Sequence, residues 1–554
     1  MQTLVPFFLF LRWKTPVAES MMSTPSATTD VNRSSALLDI DDDMKSHRKP
    51  IDKAQWGPAA PANSNTFRVR DHSHKPKAQR WDHVLSQESS SRAGNSLKYA
   101  AGFLKLPGMI SLGGGLPSSE YFPWDELHFK VPQVGHFSEL DMHQHGVLIK
   151  SRKNDVATGE SIFDISTAFN YGQGHGSAQL LRWITEHTEL VHDPPYADWG
   201  CTMTVGSTSS LNFALRMLTK PGDWIISEEY TFSTAVESAA PMGVKVAGVK
   251  MDAEGLLPDS LDDVMANWDS EKHDGAPRPT ILYTVPTGQN PTGATQGAQR
   301  RRDIYALAQK HNLYIIEDEP YYFLQMHPYA GQDTPAAPQP LMHGEFLRSL
   351  LPSYLSMDID GRVMRMDSFS KVLAPGTRCG WITASEQIVE RYTRHSEVGT
   401  QGPSGVSQLM LFKLLDEHWG HGGYLDWLVH IRMGYTQRRN VILDACERYL
   451  PKEVVSWKHR WRHWLQIDWR KHPDASSKTI LELEHDIFTA SIEHRALVIK
   501  GSQFYANREE QHDTLFFRTT YAAAPSDKIN EAIRRFGDAV RSSFKLEQQE
   551  TTGN

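Results

Sequence analysis

The chain has 554 residues, more than one compact core holds, since single cores stop growing near roughly 250–300 residues. Its 39% hydrophobic and 22% charged residues are those of an ordinary globular protein, and a net charge of −8 with scattered basic residues argues against a nucleic-acid partner. Cys201, Cys379 and Cys446 lie far apart and form no Cys-x-x-Cys pair, which argues against a disulfide framework or structural zinc and points to a reducing compartment.

Along the chain, Leu4 to Leu11 is an apolar run of signal-peptide length, but no basic residue precedes it and no clear cleavage site follows. It is too short to span a bilayer, so no membrane partner is expected. Arg12, Lys14 and Arg33, with no acid before Glu19, keep a mitochondrial leader as the alternative to a cytoplasmic protein. A tail without structure, or a start at Met21-Met22, is the plainer reading. Residues 1–80 read as a disordered extension, because residues 20 to 80 are rich in Ser, Thr, Pro, Asp and Lys without periodicity.

Order is expected to begin near Trp81. Residues 81–160 form an N-terminal segment, assigned to the small domain and substrate pocket, with a polar, irregular insertion at 128–160. Residues 161–404 form the large domain, in which short apolar runs alternate with helical stretches: WIISE (224–228), TILYTV (280–285), LYIIED (313–318) and VMRMD (363–367). A helix over 297–311 places Ile304, Leu307 and Ala308 on one face. This alternation predicts an α/β fold with a mixed, mostly parallel sheet. Residues 405–545 form a smaller α+β domain and 546–554 a disordered tail. There is no internal repeat.

Four segments carry the chemistry. In Asp367-Ser-Phe-Ser-Lys371 to Arg378 a lysine follows a short buried strand, among hydroxyls from Ser368 and Ser370, with an arginine fork suited to phosphate. Alone, such a lysine is a solvated surface residue; here it suits a Schiff-base nucleophile. Glu317-Asp318-Glu319-Pro-Tyr321-Tyr322 puts three acids at a strand's carboxyl end, where open α/β sheets bind ligands. The plain alternatives are a polar loop or a metal site. A carboxylate there can hold a buried ring cation. Val285 to Gly293 is either a generic turn or one that aims the Asn290 amide at a ligand oxygen. Thr204-Val-Gly206-Ser207-Thr208 opens a helical stretch, which is either simple capping or a phosphate cradle.

These motifs, with ISLGGGLPSSEYFP, AFNYGQGHGSAQLLRWI and LFFRTTYAAA, recur in an order that resembles the class I/II aminotransferases of pyridoxal-phosphate (PLP) fold type I. The likeness is to the fungal aromatic amino acid aminotransferases and their aminoadipate and kynurenine relatives, and it covers about residues 81–545. It implies that Lys371 carries the cofactor aldehyde and then moves the proton between substrate and cofactor. Asp318 is implied to hold the ring nitrogen, Asn290 and Tyr321 the ring oxygen, and Phe232 (less so Tyr230) to stack on the ring. Ser207, Thr208, Ser368, Ser370 and Arg378 are implied at the phosphate, together with Tyr171 from the neighbouring subunit of a homodimer. Arg518 and Asn290 are implied to hold the substrate carboxylate, with Lys98 and Gly114 lining the side-chain pocket. The implied reaction moves the amino group of an aromatic amino acid to a 2-oxo acid such as 2-oxoglutarate with ping-pong kinetics. An aminoadipate or kynurenine donor, or a lyase or cyclase reaction on the same fold, is the alternative. A regulatory PLP-binding role is disfavoured, because Lys371, Asp318 and Arg518 are all present.

One segment departs from the family's Pro-x-x-Gly-Met-Phe-x-Trp pattern: Trp457-Lys-His-Arg-Trp-Arg-His-Trp464 lacks the Gly-Met-Phe, which leaves side-chain specificity open. The histidine pairs His72/His74, His143/His145 and His459/His463 lack carboxylate or cysteine support, so no metal is expected. Gly113-Gly-Gly115 carries no dinucleotide fingerprint and reads as close backbone approach to the substrate.

Overall fold

Leu127, Phe129 and Val131 alternate with polar residues, and this period-two pattern pairs β1 (Glu126–Val131) antiparallel with β2 (Val147–Arg152). The segment expected to be an irregular insertion is therefore a hairpin, with a short helix (Glu139–His145) in its loop. Phe137 from that loop packs edge-on against Trp419 and Trp427, 5.8 and 5.5 Å away. The computed structural model describes residues 40, 44–49, 56–57 and 62–547, apart from 102, 104–105, 107, 111, 114, 330, 332–339, 458–462 and 511. The apolar run 4–11, Met21-Met22, Gly114 and most of the atypical 457–464 segment lie outside the described residues.

The large domain is built on a seven-stranded sheet. Its strands are β3 (Trp199–Thr204), β4 (Trp224–Glu228), β5 (Lys245–Val249), β6 (Ile281–Thr284), β7 (Tyr314–Asp318), β8 (Val363–Ser368) and β9 (Gly380–Ser385), in the order β3-β9-β8-β7-β6-β4-β5. Only β9 runs against its neighbours. Both faces are covered, which is why these strands read as unbroken apolar runs. Ile281, Tyr283, Tyr314, Ile316, Met364 and Met366 pack on one side. Leu282, Ile315 and Val363, the residues between them, pack on the other.

Helices α1 (Ala178–His192), α2 (Ser207–Leu218), α3 (Ala298–Lys310) and α4 (Glu386–Gly399) supply the covering layers. In α3 the buried stripe is Arg301, Ile304, Tyr305 and Ala308, with Leu307 at its margin. The long α5 (Gly420–Tyr449) then crosses between domains. Its first half packs with the core around α1, and from Tyr435 onward the helix packs with the small domain's core. The small domain adds β10 (Val455–Trp457), β11 (His463–Ile467), α6 (Ile480–Glu493), β12 (Ile499–Lys500), β13 (Leu515–Thr519) and α7 (Ser526–Phe544), with sheet order β10-β11-β13-β12. Among the described residues no helix is long and apolar enough to cross a membrane, and all three cysteines are free and buried.

Ordered chain also begins before Trp81, where the sequence placed its start. Arg48 forks onto Glu186 of α1 (2.9 and 2.8 Å) and reaches Asp416 at 2.5 Å. Glu189, one turn on, accepts from the amides of Val69 and Arg70 and from His72. Residues 62–80 thus lie along α1 because its outer face carries buried carboxylates that need partners. Trp81 itself packs on Tyr314 of β7, so it belongs to the large-domain core rather than the small domain. Arg48→Ala is expected to lower the thermal midpoint by several degrees, the size that follows from losing one partner of a buried pair (about 3 kcal/mol). An unchanged midpoint in scanning calorimetry would show that this contact carries no stability.

Candidate active site

Strands β6, β7 and β8 run parallel, and their carboxyl ends open on one cavity of about 470 Å³. This is where an open α/β sheet leaves backbone groups and loops available to a ligand. Lys371, Asp318, Asn290, Tyr321, Phe232, Arg378 and Arg518 all line it, as do Ser207, Thr208, Ser368 and Ser370.

At the end of β8 the chain turns through Ser368 to Arg378. Phe369 is buried against Trp381 (5.1 Å between centroids), and its amide donates to the Cys379 carbonyl at 3.1 Å. That anchor points the turn inward at Phe369 and leaves Lys371 on the cavity side. The Ser368 hydroxyl donates to Ser370 Oγ at 2.8 Å and accepts from the Ser370 amide at 3.1 Å. Arg378 adopts left-handed backbone (φ 47°) and crosses to donate to the Val205 carbonyl at 3.0 Å. It thereby lies against Gly206, which has φ 88°. That conformation requires glycine, and a Cβ there would also meet Arg378 Nη2 at 2.4 Å and push the guanidinium aside.

Gly206 is also the N-cap of α2, and no side chain caps the helix. Its first backbone N–H groups therefore face the cavity with Ser207, whose buried hydroxyl has no hydrogen-bond partner. Unpaired donors, a helix dipole's positive end and an arginine fork make an anion cradle.

At the end of β7 the three consecutive acids separate, since strand residues alternate in direction. Glu317 accepts from the amides of Tyr354 (2.8 Å) and Leu355 (3.2 Å) and pairs with Arg365 at 3.2 Å. Glu319 accepts from Thr287 (2.9 Å) and pairs with Arg301 at 3.2 Å. Asp318 alone faces the cavity, so these acids do not form a metal cluster. The Tyr283 hydroxyl donates to Asp318 Oδ2 at 2.9 Å, while Oδ1 is buried without a partner. Burial pushes this carboxyl up to about 7. Such a group is prepared to take a cation, which would restore its ionised form.

After β6 the turn is built by Gln289, whose carbonyl accepts from Gly293 (2.6 Å) and whose Nε2 donates to Tyr230 O at 2.6 Å. This presents Asn290, and its Oδ1 accepts from Arg518 Nη1 at 3.1 Å. Arg518 arrives from β13 of the small domain, stacked on Phe504 at 4.8 Å. Of the two aromatic candidates, Phe232 lines the cavity. Tyr230 instead donates to or accepts from Thr514 (2.8 Å) and packs among Trp464, Tyr505 and Phe516.

Lys98 does not line this cavity, and its ammonium donates to the Gly172 carbonyl. Tyr171, expected at the neighbouring subunit's phosphate, is exposed on the surface. A Cβ added at Gly113 or Gly115 would meet no atom of this chain within 4 Å. Conversely, Met326, Tyr435, Thr520 and Tyr521 line the cavity and were not singled out from the sequence. Arg365, wholly buried beneath the site, stands with Asp367 as a charge in the otherwise apolar strand VMRMD.

The fold and site define a large α/β enzyme scaffold with a lysine, a carboxylate and two arginines at strand ends. Residues 140–536 match the family described as aminotransferase class I and II, and the chain belongs to it. It is 43% identical over 469 residues to an aromatic amino acid aminotransferase of Schizosaccharomyces pombe, covering 84% of this chain and 98% of that protein. It is 36% identical over 375 residues to an L-tyrosine:2-oxoglutarate aminotransferase of Serpula lacrymans, covering 66% and 70%. Among solved structures, aminotransferase Aro8 of Candida albicans superposes with a TM-score of 0.78 at 39% identity, over 85% of this chain and 100% of that one.

An unfolded aspartate ionises near 3.8, the folded Asp318 near 7. Between these values the folded, cofactor-free protein holds a proton that the unfolded chain has lost. This group's contribution to stability is therefore full below the unfolded value and is lost as pH climbs through about 7. Asp318→Asn should accordingly stabilise cofactor-free protein relative to the parent at about pH 8 and much less at about pH 5. Melting curves at the two pH values decide it; a pH-independent difference sinks the assignment.

Proposed function

We propose that this cavity holds pyridoxal 5′-phosphate on Lys371, and that the enzyme moves the amino group of an aromatic amino acid to a 2-oxo acid such as 2-oxoglutarate. The observation that carries the reading is convergence: Asp318, Asn290, Lys371 with Arg378, and Arg518 come from four different segments to one cavity. The donors present fit the group. Ser207, the α2 N-terminus, Ser368, Ser370, Thr208 and Arg378 suit its phosphate, and the partnerless Asp318 oxygen suits a protonated ring nitrogen. Asn290 and Tyr321 suit the ring oxygen, and Phe232 its face.

Bound there, the cofactor supplies an electron sink for the pair left when a substrate Cα loses its proton. Asp318, ionised by the neighbouring cation, holds the ring nitrogen protonated. Arg518, steadied by Asn290 and Phe504, binds the substrate α-carboxylate with its planar fork. Lys371, once its amine is free, takes the Cα proton and returns it. One carboxylate site serves both donor and acceptor, so the first product leaves before the second substrate enters, which gives ping-pong kinetics. The names of the S. pombe and S. lacrymans relatives support an aromatic donor and 2-oxoglutarate as acceptor.

The active unit in this reading is a homodimer, with Tyr171 reaching the partner's phosphate region. Its support is the number of exposed large apolar side chains in the N-terminal segment, among them Ile110, Leu112 and Tyr121, which are 84%, 97% and 83% exposed. Soluble monomers rarely expose large apolar patches. The free, buried cysteines favour the cytoplasm as its compartment.

Purified enzyme with pyridoxal phosphate should release the oxo acid from phenylalanine, tyrosine or tryptophan and aminate 2-oxoglutarate in equal amount. Loss of ammonia or a side-chain fragment without amination would replace this reading with a lyase. Lys371→Ala should remove the visible imine absorbance and lower kcat by at least about a thousandfold. Sedimentation should give a dimer, and Tyr171→Phe should weaken cofactor retention; a stable, active monomer would refute the shared site.

A further inference from the structure

We propose that Arg438 is a positioning residue for substrate binding: from α5 it clamps the Thr520–Ala524 loop and so sets the Arg518 guanidinium and the Tyr521 wall of the cavity. The inference rests on the aminotransferase reading and deepens it.

The sequence of the loop poses the problem. Thr520-Tyr-Ala-Ala-Ala524-Pro follows directly on the strand that carries Arg518. Three successive alanines offer no side-chain donor or acceptor, and Ala522 and Ala523 are exposed. Yet Thr520, Tyr521 and Ala522 line the cavity beside Arg518. A loop of this composition must be held through its own carbonyl oxygens or stay mobile.

Arg438 supplies that hold. Its Nε donates to the Tyr521 carbonyl at 2.8 Å, and its Nη2 to the carbonyls of Ala522 (3.4 Å) and Ala524. Among the described residues no carboxylate pairs with it, so its fork is given over to the loop backbone. One turn earlier on the same helix, Tyr435 lines the cavity and packs edge-on against Tyr521, 6.4 Å between centroids. The Tyr521 hydroxyl in turn donates to Met326 Sδ at 3.7 Å, a third wall residue. One turn of α5 therefore provides both a wall of the cavity and the clamp on the wall that adjoins it. A lysine could not reproduce this, because a single ammonium lacks the rigid fork that spans several acceptors.

The test uses holoenzyme and 3-phenylpropionate, an aromatic carboxylate that cannot react, titrated by the change in cofactor absorbance. In R438Q the probe should bind about tenfold more weakly, because a displaced clamp misplaces Arg518 by a fraction of an ångström or more. KM for donor and acceptor should rise together, kcat should fall less, and the cofactor absorbance should be unchanged. Hydrogen exchange of the 521–524 amides should speed up, a readout that general loss of stability would not confine to this loop. R438K should fall between the two proteins, and it carries the test if R438Q does not fold. Wild-type probe affinity and loop exchange in the substituted enzyme would overturn the inference. Failure of the aminotransferase reading looks different: the parent itself would not bind the probe, and loop exchange alone would then decide for or against the clamp.

Discussion

Arg365 is a guanidinium wholly enclosed between two parallel strands, and the geometry of the site hangs on how its charge is met. One arm forks onto Asp367 at 2.8 Å for both bonds, and the other reaches Glu317 on β7 at 3.2 Å. The ring of Tyr322 lies 4.5 Å from it. Burying any of these charges alone would cost several kcal/mol, so the two strand ends are stable only in the register that pairs them. That register sets Glu317 opposite Arg365 and Asp318 opposite Met366, two residues before Ser368 opens the next turn. Asp318 and the loop bearing Lys371 are thereby held in one relation, which is the preorganisation that a binding site needs.

Alternation along the strand turns the same arrangement into an electrostatic device. Glu317 and Glu319 point to the face where Arg365 and Arg301 neutralise them, while Asp318 points to the other and meets only the Tyr283 hydroxyl. The nearby carboxylates of Asp367 and Glu228 add to the burial that raises it, and Arg365 opposes them. A single buried oxygen without a partner is an unfavourable feature of an empty fold. It becomes favourable when a ring cation fills the place, so stability given up here returns as affinity.

The second domain matters for one residue above the others. Arg518 sits on an inner strand of its sheet, paired with Trp464 on one side and Ile499 on the other, and its contact with Asn290 bridges the two domains. Gln289 donating to Tyr230, the aromatic packing of Tyr230 with Trp464 and Phe516, and the Thr231 amide donating to the Phe504 carbonyl tie the same junction. α5 runs through both cores and keeps the domains from separating. The placing of Arg518 in the cavity is thus a property of the domain junction, not of either domain.

What the sequence determined by itself is local. Strands buried on both faces appear as short apolar runs, so β4, β6, β7 and β8 fell where those runs lie, and the order of motifs around Lys371, Asp318, Asn290, Arg378 and Arg518 named the family and the site. The alternation of Leu127, Phe129 and Val131 was also legible, although its polar surroundings masked the hairpin. Only the tertiary structure decided which of three consecutive acids faces the cavity, that Phe232 rather than Tyr230 lines it, that residues 62–80 lie along α1, and that Arg438 grips the loop after Arg518. Each of these depends on a partner far away in the chain. Periodicity and turn chemistry act over a few residues, whereas the pairing of Arg365 with Glu317 or of Arg438 with Tyr521 is settled by burial, where a charge or carbonyl left unmatched is too costly to keep.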